Sequence, residues 1–178
     1  MRILLTFSIL LSTIYARAQV AIGKTTISNN SVSLEFGNNE SRGVILPWVT
    51  NVTTMTNAVN GTMAYDVATL KLKVKLATGW KDLSVDTSGK TTDPVSGVNG
   101  ITIQNAAKEA ADAKVSIGTP TSTPGILVLE DSNKAMVLPK VSNPQTAIIN
   151  PSPGMMVYDT NTKSLAVFNG TVWSFWKA

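Results

Sequence analysis

Few side chains in this chain have types that could do chemistry. It contains no His and no Cys, so it lacks the usual general base at neutral pH, a thiol nucleophile and the soft ligands of transition-metal sites. Carboxylates remain. Asp66 and Asp159 stand in two matching Y-D-x-x-T strings, Tyr65 to Thr69 and Tyr158 to Thr162. As a glycosidase pair they would have to lie about 5 to 9.5 Å apart. An Asp that opens a turn instead accepts N–H bonds from the residues that follow it, and its recurrence in a repeated string predicts equivalent places in separate units. The spacing therefore favours turn capping, with no catalytic residue. Oxygen ligands for calcium occur only as the loose group Glu35, Asn38, Asn39 and Glu40, without the spacing of an EF-hand loop. No metal and no cofactor is expected.

The four Trp are candidates for binding, because an indole offers a large apolar face with one polar atom. Trp80 and Trp173 occupy equivalent positions of a repeat, which predicts a role in the core or between units. Trp48 is replaced by Lys140 in the second copy, and Trp176 stands two residues from the last one. These two are the expected contacts for a ligand or a partner, a glycan included.

The elements that hold these residues come in two copies. Val20 to Gly23 (VAIG) recurs as Val115 to Gly118 (VSIG), and Val44 to Val49 (VILPWV) as Met136 to Val141 (MVLPKV). The string from Gly61 (GTMAYDVATLKLKV) recurs from Gly154 (GMMVYDTNTKSLAV) at a constant offset of 93 residues. That offset pairs Tyr65 with Tyr158, Asp66 with Asp159, Leu72 with Leu165 and Trp80 with Trp173. Self-similarity at this period marks a repeat architecture. The expected layout is a leader at residues 1–18, one β unit at 19–83, a linker at 84–114 and a second β unit at 115–178.

Each unit ends in a pattern of three antiparallel strands. Lys71 to Leu76 alternates strictly, predicting a half-buried strand with its three Lys in solvent and Leu72, Val74 and Leu76 inside. Asn169-Gly170 predicts a two-residue type I′ hairpin. Val32 to Phe36 and Ile126 to Leu129 have strand character, and the Leu-Pro dipeptides at Pro47 and Pro139 suit strand ends or edges. In the linker, rich in Ser, Thr, Asp, Gly and Pro, Gly100 to Ile103 reads as a short strand and Asn105 to Lys114 as a short helix. The fold class is mainly β: two tandem meander-type units with long loops and one short helical linker.

The first residues have the form of a secretory signal peptide, with Arg2, an apolar run from Ile3 to Ile14 and a small-x-small site at Ala16-Arg17-Ala18. The run is too short for the roughly 20 residues of a spanning helix, so an exported chain without a membrane span in its mature part is expected, in the periplasm or at the cell surface. The formal charge is +4. Losing Arg2 and Arg17 leaves about +2, with Lys scattered and no basic cluster interleaved with aromatics, which argues against nucleic-acid binding. Units of about 60 residues are near the lower limit of independent stability. Extracellular domains of that size commonly carry disulfides, and with Cys at 0 the core must be completed by the other unit or by other chains.

The string V-S-I-G-T-P, L-x-L, V-L-P-x-V and P-G-M-M-V-Y-D-T-N-T-K-S-L-A-V-F-N-G-T-V-W resembles repeats of tail-fibre-like and secreted surface proteins of Gram-negative bacteria. The second unit matches over almost its whole length and the first more loosely. Single prolines at Pro47 and Pro139, where that pattern often has two, are departures. The resemblance implies a non-enzymatic fibre or adhesin-type module, often trimeric. The expected function is a secreted structural or adhesive surface protein that associates with itself or with other surface proteins, and the alternative is a soluble carbohydrate-binding module.

Overall fold

The computed structural model describes residues 19–38, 41–102, 113–118 and 122–177. The expected signal peptide, residues Asn39 and Glu40, and almost all of the expected linker helix lie outside the described residues. Among those described the chain is mainly β, with a 3-10 turn at Val52–Thr54, a helical turn at Pro144–Ala147, the start of another at residues 100–102, and fourteen strands. Seven belong to the first repeat: β1 (Val20–Ile22), β2 (Val32–Phe36), β3 (Val44–Ile45), β4 (Trp48–Val49), β5 (Met63–Asp66), β6 (Lys71–Leu76) and β7 (Gly79–Asp82). Seven belong to the second: β8 (Val115–Gly118), β9 (Leu127–Glu130), β10 (Ala135–Val137), β11 (Lys140–Val141), β12 (Met155–Asp159), β13 (Ser164–Phe168) and β14 (Trp173–Trp176).

The two sets pair alike. β5, β6 and β7 are successive antiparallel neighbours, and so are β12, β13 and β14. After each Leu-Pro the chain runs parallel to the Tyr-Asp strand, β4 on β5 and β11 on β12. The proline has no N–H to give, but its carbonyl accepts: Tyr65 N–H donates to Pro47 O at 2.8 Å and Tyr158 N–H to Pro139 O at 2.9 Å. Both four-residue loops after the Asp carry a left-handed residue at the same place, Leu70 (φ 58°) and Lys163 (φ 55°).

Three expectations need correction. Asn169-Gly170 is not a two-residue turn, because Phe168 pairs with Trp173 and leaves a four-residue loop. Gly170 alone there has positive φ, at 95°. The buried Asn169 side chain accepts instead from Thr171 N–H (2.9 Å) and Val172 N–H (2.8 Å), which holds the loop open in place of a primed turn. Residues 100–102 begin a helical turn and not a strand, with the Asn99 side chain accepting from Ile101 N–H at 3.0 Å as an N-cap does. The faces of β6 are not simply solvated and buried: Lys71 and Lys73 approach Asp82 of β7 at 2.9 and 2.8 Å and are half-buried, while Leu76, at the strand's end, is exposed.

The repeats are interlaced rather than merely adjacent. β10 of the second repeat adds to the first repeat's sheet in the order β1-β2-β10, while β3 of the first pairs antiparallel with β12 of the second. Leu46, Tyr65, Leu72 and Leu83 of the first repeat form one core with Met156 and Val167 of the second. A further cluster of Val141, Ile148, Met155, Val157, Ala166 and Phe168 lies within the second repeat. The linker is a strap across this junction: Val85 N–H donates to Ser174 Oγ (3.2 Å), Thr171 Oγ1 to Ser88 O (2.6 Å) and Lys90 N–H to Asn169 O (2.9 Å).

Equivalent core positions are not equally covered. Leu72 is fully buried, whereas Leu165 is only half-buried. Leu72→Ala should cost about 2 to 5 kcal/mol, as for other buried leucines, and Leu165→Ala clearly less; urea unfolding of both variants at high dilution checks the order.

Candidate functional site

The Tyr-Asp turns are built from short-range bonds that consume their carboxylates. Asp66 accepts from Thr69 Oγ1 at 2.8 Å and from Ala68 N–H at 3.3 Å, with Lys73 at 3.6 Å. Asp159 accepts from Thr162 Oγ1 at 2.6 Å, Asn161 N–H at 2.9 Å and Asn143 N–H at 3.1 Å. Both Asp are fully buried. Burial alone would raise the Asp159 carboxyl, but these donors outweigh it and hold the group below the usual carboxylate range. Each Asp organises its own loop, and Asp159 also ties down the backbone of Asn143.

A second repeated carboxylate escaped the sequence reading. Ser28 Oγ donates to Glu35 Oε1 at 2.5 Å and Ser28 N–H to Oε2 at 2.8 Å, while Thr123 Oγ1 donates to Glu130 Oε1 at 2.6 Å. The seven-residue spacing between hydroxyl and carboxylate recurs at an offset of 95, and only the substitution of Thr for Ser hides it. Lys24 Nζ lies 2.8 Å from Glu35. The bond from Lys24, followed by those from Ser28, lowers the Glu35 carboxyl to about 2 despite its burial. Glu35 is thus a structural anion closing the loop between β1 and β2. Among the described residues no group of three or more acids is placed to hold a metal ion.

The densest meeting of sequence-predicted residues is the junction of the repeats. Tyr65 on β5 is fully buried, with its hydroxyl 2.8 Å from Lys90 O and 2.9 Å from Asn169 O, and burial pushes its phenol up to about 12. Trp48 packs on Tyr65 with ring centroids 5.6 Å apart, and its Nε1–H donates to Pro153 O at 2.8 Å. Two glycines make room: a Cβ on Gly100 would fall 1.6 Å from Trp48 Cζ3, and one on Gly154 would lie 3.1 Å from its Nε1. Trp176 Nε1–H donates to the Leu83 carbonyl, with Lys81 Nζ 5.2 Å above its ring. Trp173 leans on Phe168 at 5.2 Å between centroids, and Trp80 faces Lys75 across β6 and β7. Tyr158, the counterpart of Tyr65, is 36% exposed.

The structure therefore joins Trp48, Tyr65 and the loop around Asn169 into one contact between repeats and leaves Tyr158 outside it. A contact surface between like units is what this geometry can provide. Residues 116–177 match the model of the phage tail like trimerisation region. That stretch is the second repeat almost in full, and the similarity is to a structural, trimer-forming region of tail-fibre type, in line with the resemblance carried by its motifs. No curated protein and no solved structure matches the chain.

The pH dependence of stability follows from the Glu35 cluster. Its folded-state value lies below its unfolded value of 4.5, so its contribution is complete above about 4.5 and is lost as pH falls towards 2. The urea midpoint should fall through that window, and Glu35→Gln should flatten the slope.

Proposed function

We propose that the chain is an exported, trimeric fibre-like module of the bacterial surface that joins copies of itself and presents loops to other surface proteins. The observation that carries this reading is the trimerisation-region similarity over residues 116–177. The leader-like residues 1–18 support export to the periplasm or the outer face of the cell. The lack of Cys supports assembly, because units this small gain the buried area that disulfides would replace by packing on other units.

The carbohydrate-binding alternative needs open indole faces. Trp48 lies between Tyr65 and Gly100, and Trp176 is covered in part by Lys81, so the assembly reading is favoured. The exposed apolar residues are better suited to a protein contact: Val115 and Leu127 on one sheet are 58 and 47% exposed, and Ile126 just before β9 is 54% exposed.

Sedimentation of the chain from Gln19 onward should give a trimer at micromolar concentration. A monomer there overturns the proposal. Loss of the protein from the culture medium and periplasm on deletion of residues 1–18 tests export separately.

A further inference from the structure

The two repeats use the same seven strands, but their sheets are not equally complete. The sheet containing β12 has five strands, and the one containing β5 has four. The strand that differs is β3, which pairs with Met155 and Met156 at the start of β12 while β11 covers the rest of that edge. On β5 the corresponding far half is covered by β4, at Tyr65 and Asp66, and among the described residues no strand lies beside Met63 on that edge. The N-terminal sheets differ in the same way. β2 has β10 beside it, whereas among the described residues β9 has only β8. Each repeat-2 deficit or repeat-1 deficit is thus the place of a strand that the other repeat has received.

The chain also carries the strands that would fill both places. β10 is the counterpart of β3 by sequence, Met136 matching Val44 and Val137 matching Ile45. Among the described residues each has one pairing edge used and no strand on the other. We infer that a second copy of this chain docks head to tail, its β10 pairing antiparallel with β5 while its β9 pairs parallel with β3. The register follows from the contact already made inside the chain. Ile45 opposite Met155 and Val44 opposite Met156 become Val137 opposite Thr62 and Met136 opposite Met63. Likewise Leu34 opposite Met136 becomes Leu129 opposite Val44. This assignment rests on the trimeric reading above and adds to it the strands and the register.

Burial agrees along these edges, although β1 and β8 differ in the other sense, with Ile22 50% and Ile117 8% exposed. Val32 and Leu34 on β2 are buried at 4 and 3% exposure under β10, whereas Leu127 on β9, which lacks that cover, is 47% exposed. Tyr65 is sealed by the loop of the other repeat, and Tyr158 is open. Leu46 is buried and Leu138 is not. Ile45 on the open edge of β3 is 50% exposed. The asymmetries along these edges fall on the face that the second copy would cover. The contact is heterologous, since different faces of the repeats meet, so it must either close into a ring or continue as a filament. Three chains supply six repeats for a closed ring.

The absence of native Cys allows a direct test. Opposed residues of antiparallel strands have Cα atoms about 4.5 to 5.5 Å apart, within disulfide range. Two differently tagged chains, one Met63→Cys and one Met136→Cys, are co-expressed, purified through both tags and oxidised. The expected result is a disulfide-linked pair of unlike chains on a non-reducing gel, from material that sediments as a trimer. Thr62→Cys with Val137→Cys repeats the test at the neighbouring position in case either Met substitution disturbs folding, and Ile45→Cys with Met155→Cys in one chain reports the internal template. Trimers in which Met136→Cys links only to Met156→Cys of another copy would overturn the inferred register while leaving trimerisation intact. Monomers would overturn trimerisation itself, and filaments would overturn ring closure.

Discussion

Tyr65 is the side chain on which the junction depends. Its ring fills the space between the repeats, and its hydroxyl lies within hydrogen-bonding distance of two main-chain carbonyls, one on the strap and one on the far repeat. A buried phenol without partners would cost about 1 to 3 kcal/mol in desolvation, so the aromatic core is compatible only with a chain path that brings Lys90 O and Asn169 O to the same point. That requirement fixes the strap. It also explains why Asn169 is buried and spends its side chain on its own loop: the loop has to turn its carbonyl towards Tyr65, and a tight primed turn would point it elsewhere. Gly170 follows from the same crowding, since a Cβ there would lie 2.6 Å from Lys90 O.

The strand exchange has a thermodynamic reason. β3 and β4 contain two residues each, and β10 and β11 three and two. Ladders that short contribute little by themselves and gain stability by lying on apolar surface that something else already holds in place. In this chain the holding element is the three-strand meander of each repeat, with Leu72 and Val167 at its centre. The short strands then settle on whichever meander offers an uncovered edge. Within the chain β4 and β11 lie on the meander of their own repeat, whereas β3 lies on that of the other repeat and β10 on β2, so the duplication and the interlacing are aspects of one constraint: the core of the first repeat is completed by Met156 and Val167 of the second.

Much of this was legible in the sequence because it repeats. The two copies of Y-D-x-x-T predicted both turns, and the bonds from Thr69 to Asp66 and from Thr162 to Asp159 have the form expected of an Asp that opens a loop. The mainly β character followed from alternation in residues 71–76 and from the strand-prone runs at Val32 to Phe36 and Ile126 to Leu129. Long-range choices were not legible. Nothing local in Val44-Ile45 says that it pairs with Met155 and Met156, because its partner is selected by the available edge and not by its own residues. Trp48 was read as a contact for a ligand or a partner because Lys140 replaces it; Gly100, against which its ring lies, is outside the repeat altogether. The Glu35 and Glu130 anchors were hidden by a change of hydroxyl residue and by offsets that differ along the chain. Asn169-Gly170 misled because a fully buried Asn acts through its side chain, where the turn preference assumes a backbone role.

The differences between the copies have a physical use of their own. A chain of two identical repeats could satisfy its short strands in several equivalent ways: within itself, with either repeat of a neighbour, or in open-ended chains. Specificity requires that the alternatives be worse, and not only that the chosen contact be good. Trp48 with Pro153 and Gly154 makes the internal contact favourable in one direction. The corresponding Lys140 carries a charge that would be costly to bury in an indole-sized site. The strap, present only once in the described chain, seals Tyr65 and leaves Tyr158 bare. Divergence at these positions gives the junction inside the chain an identity separate from that of the outward face, so an assembly built from one fold can distinguish its two ends.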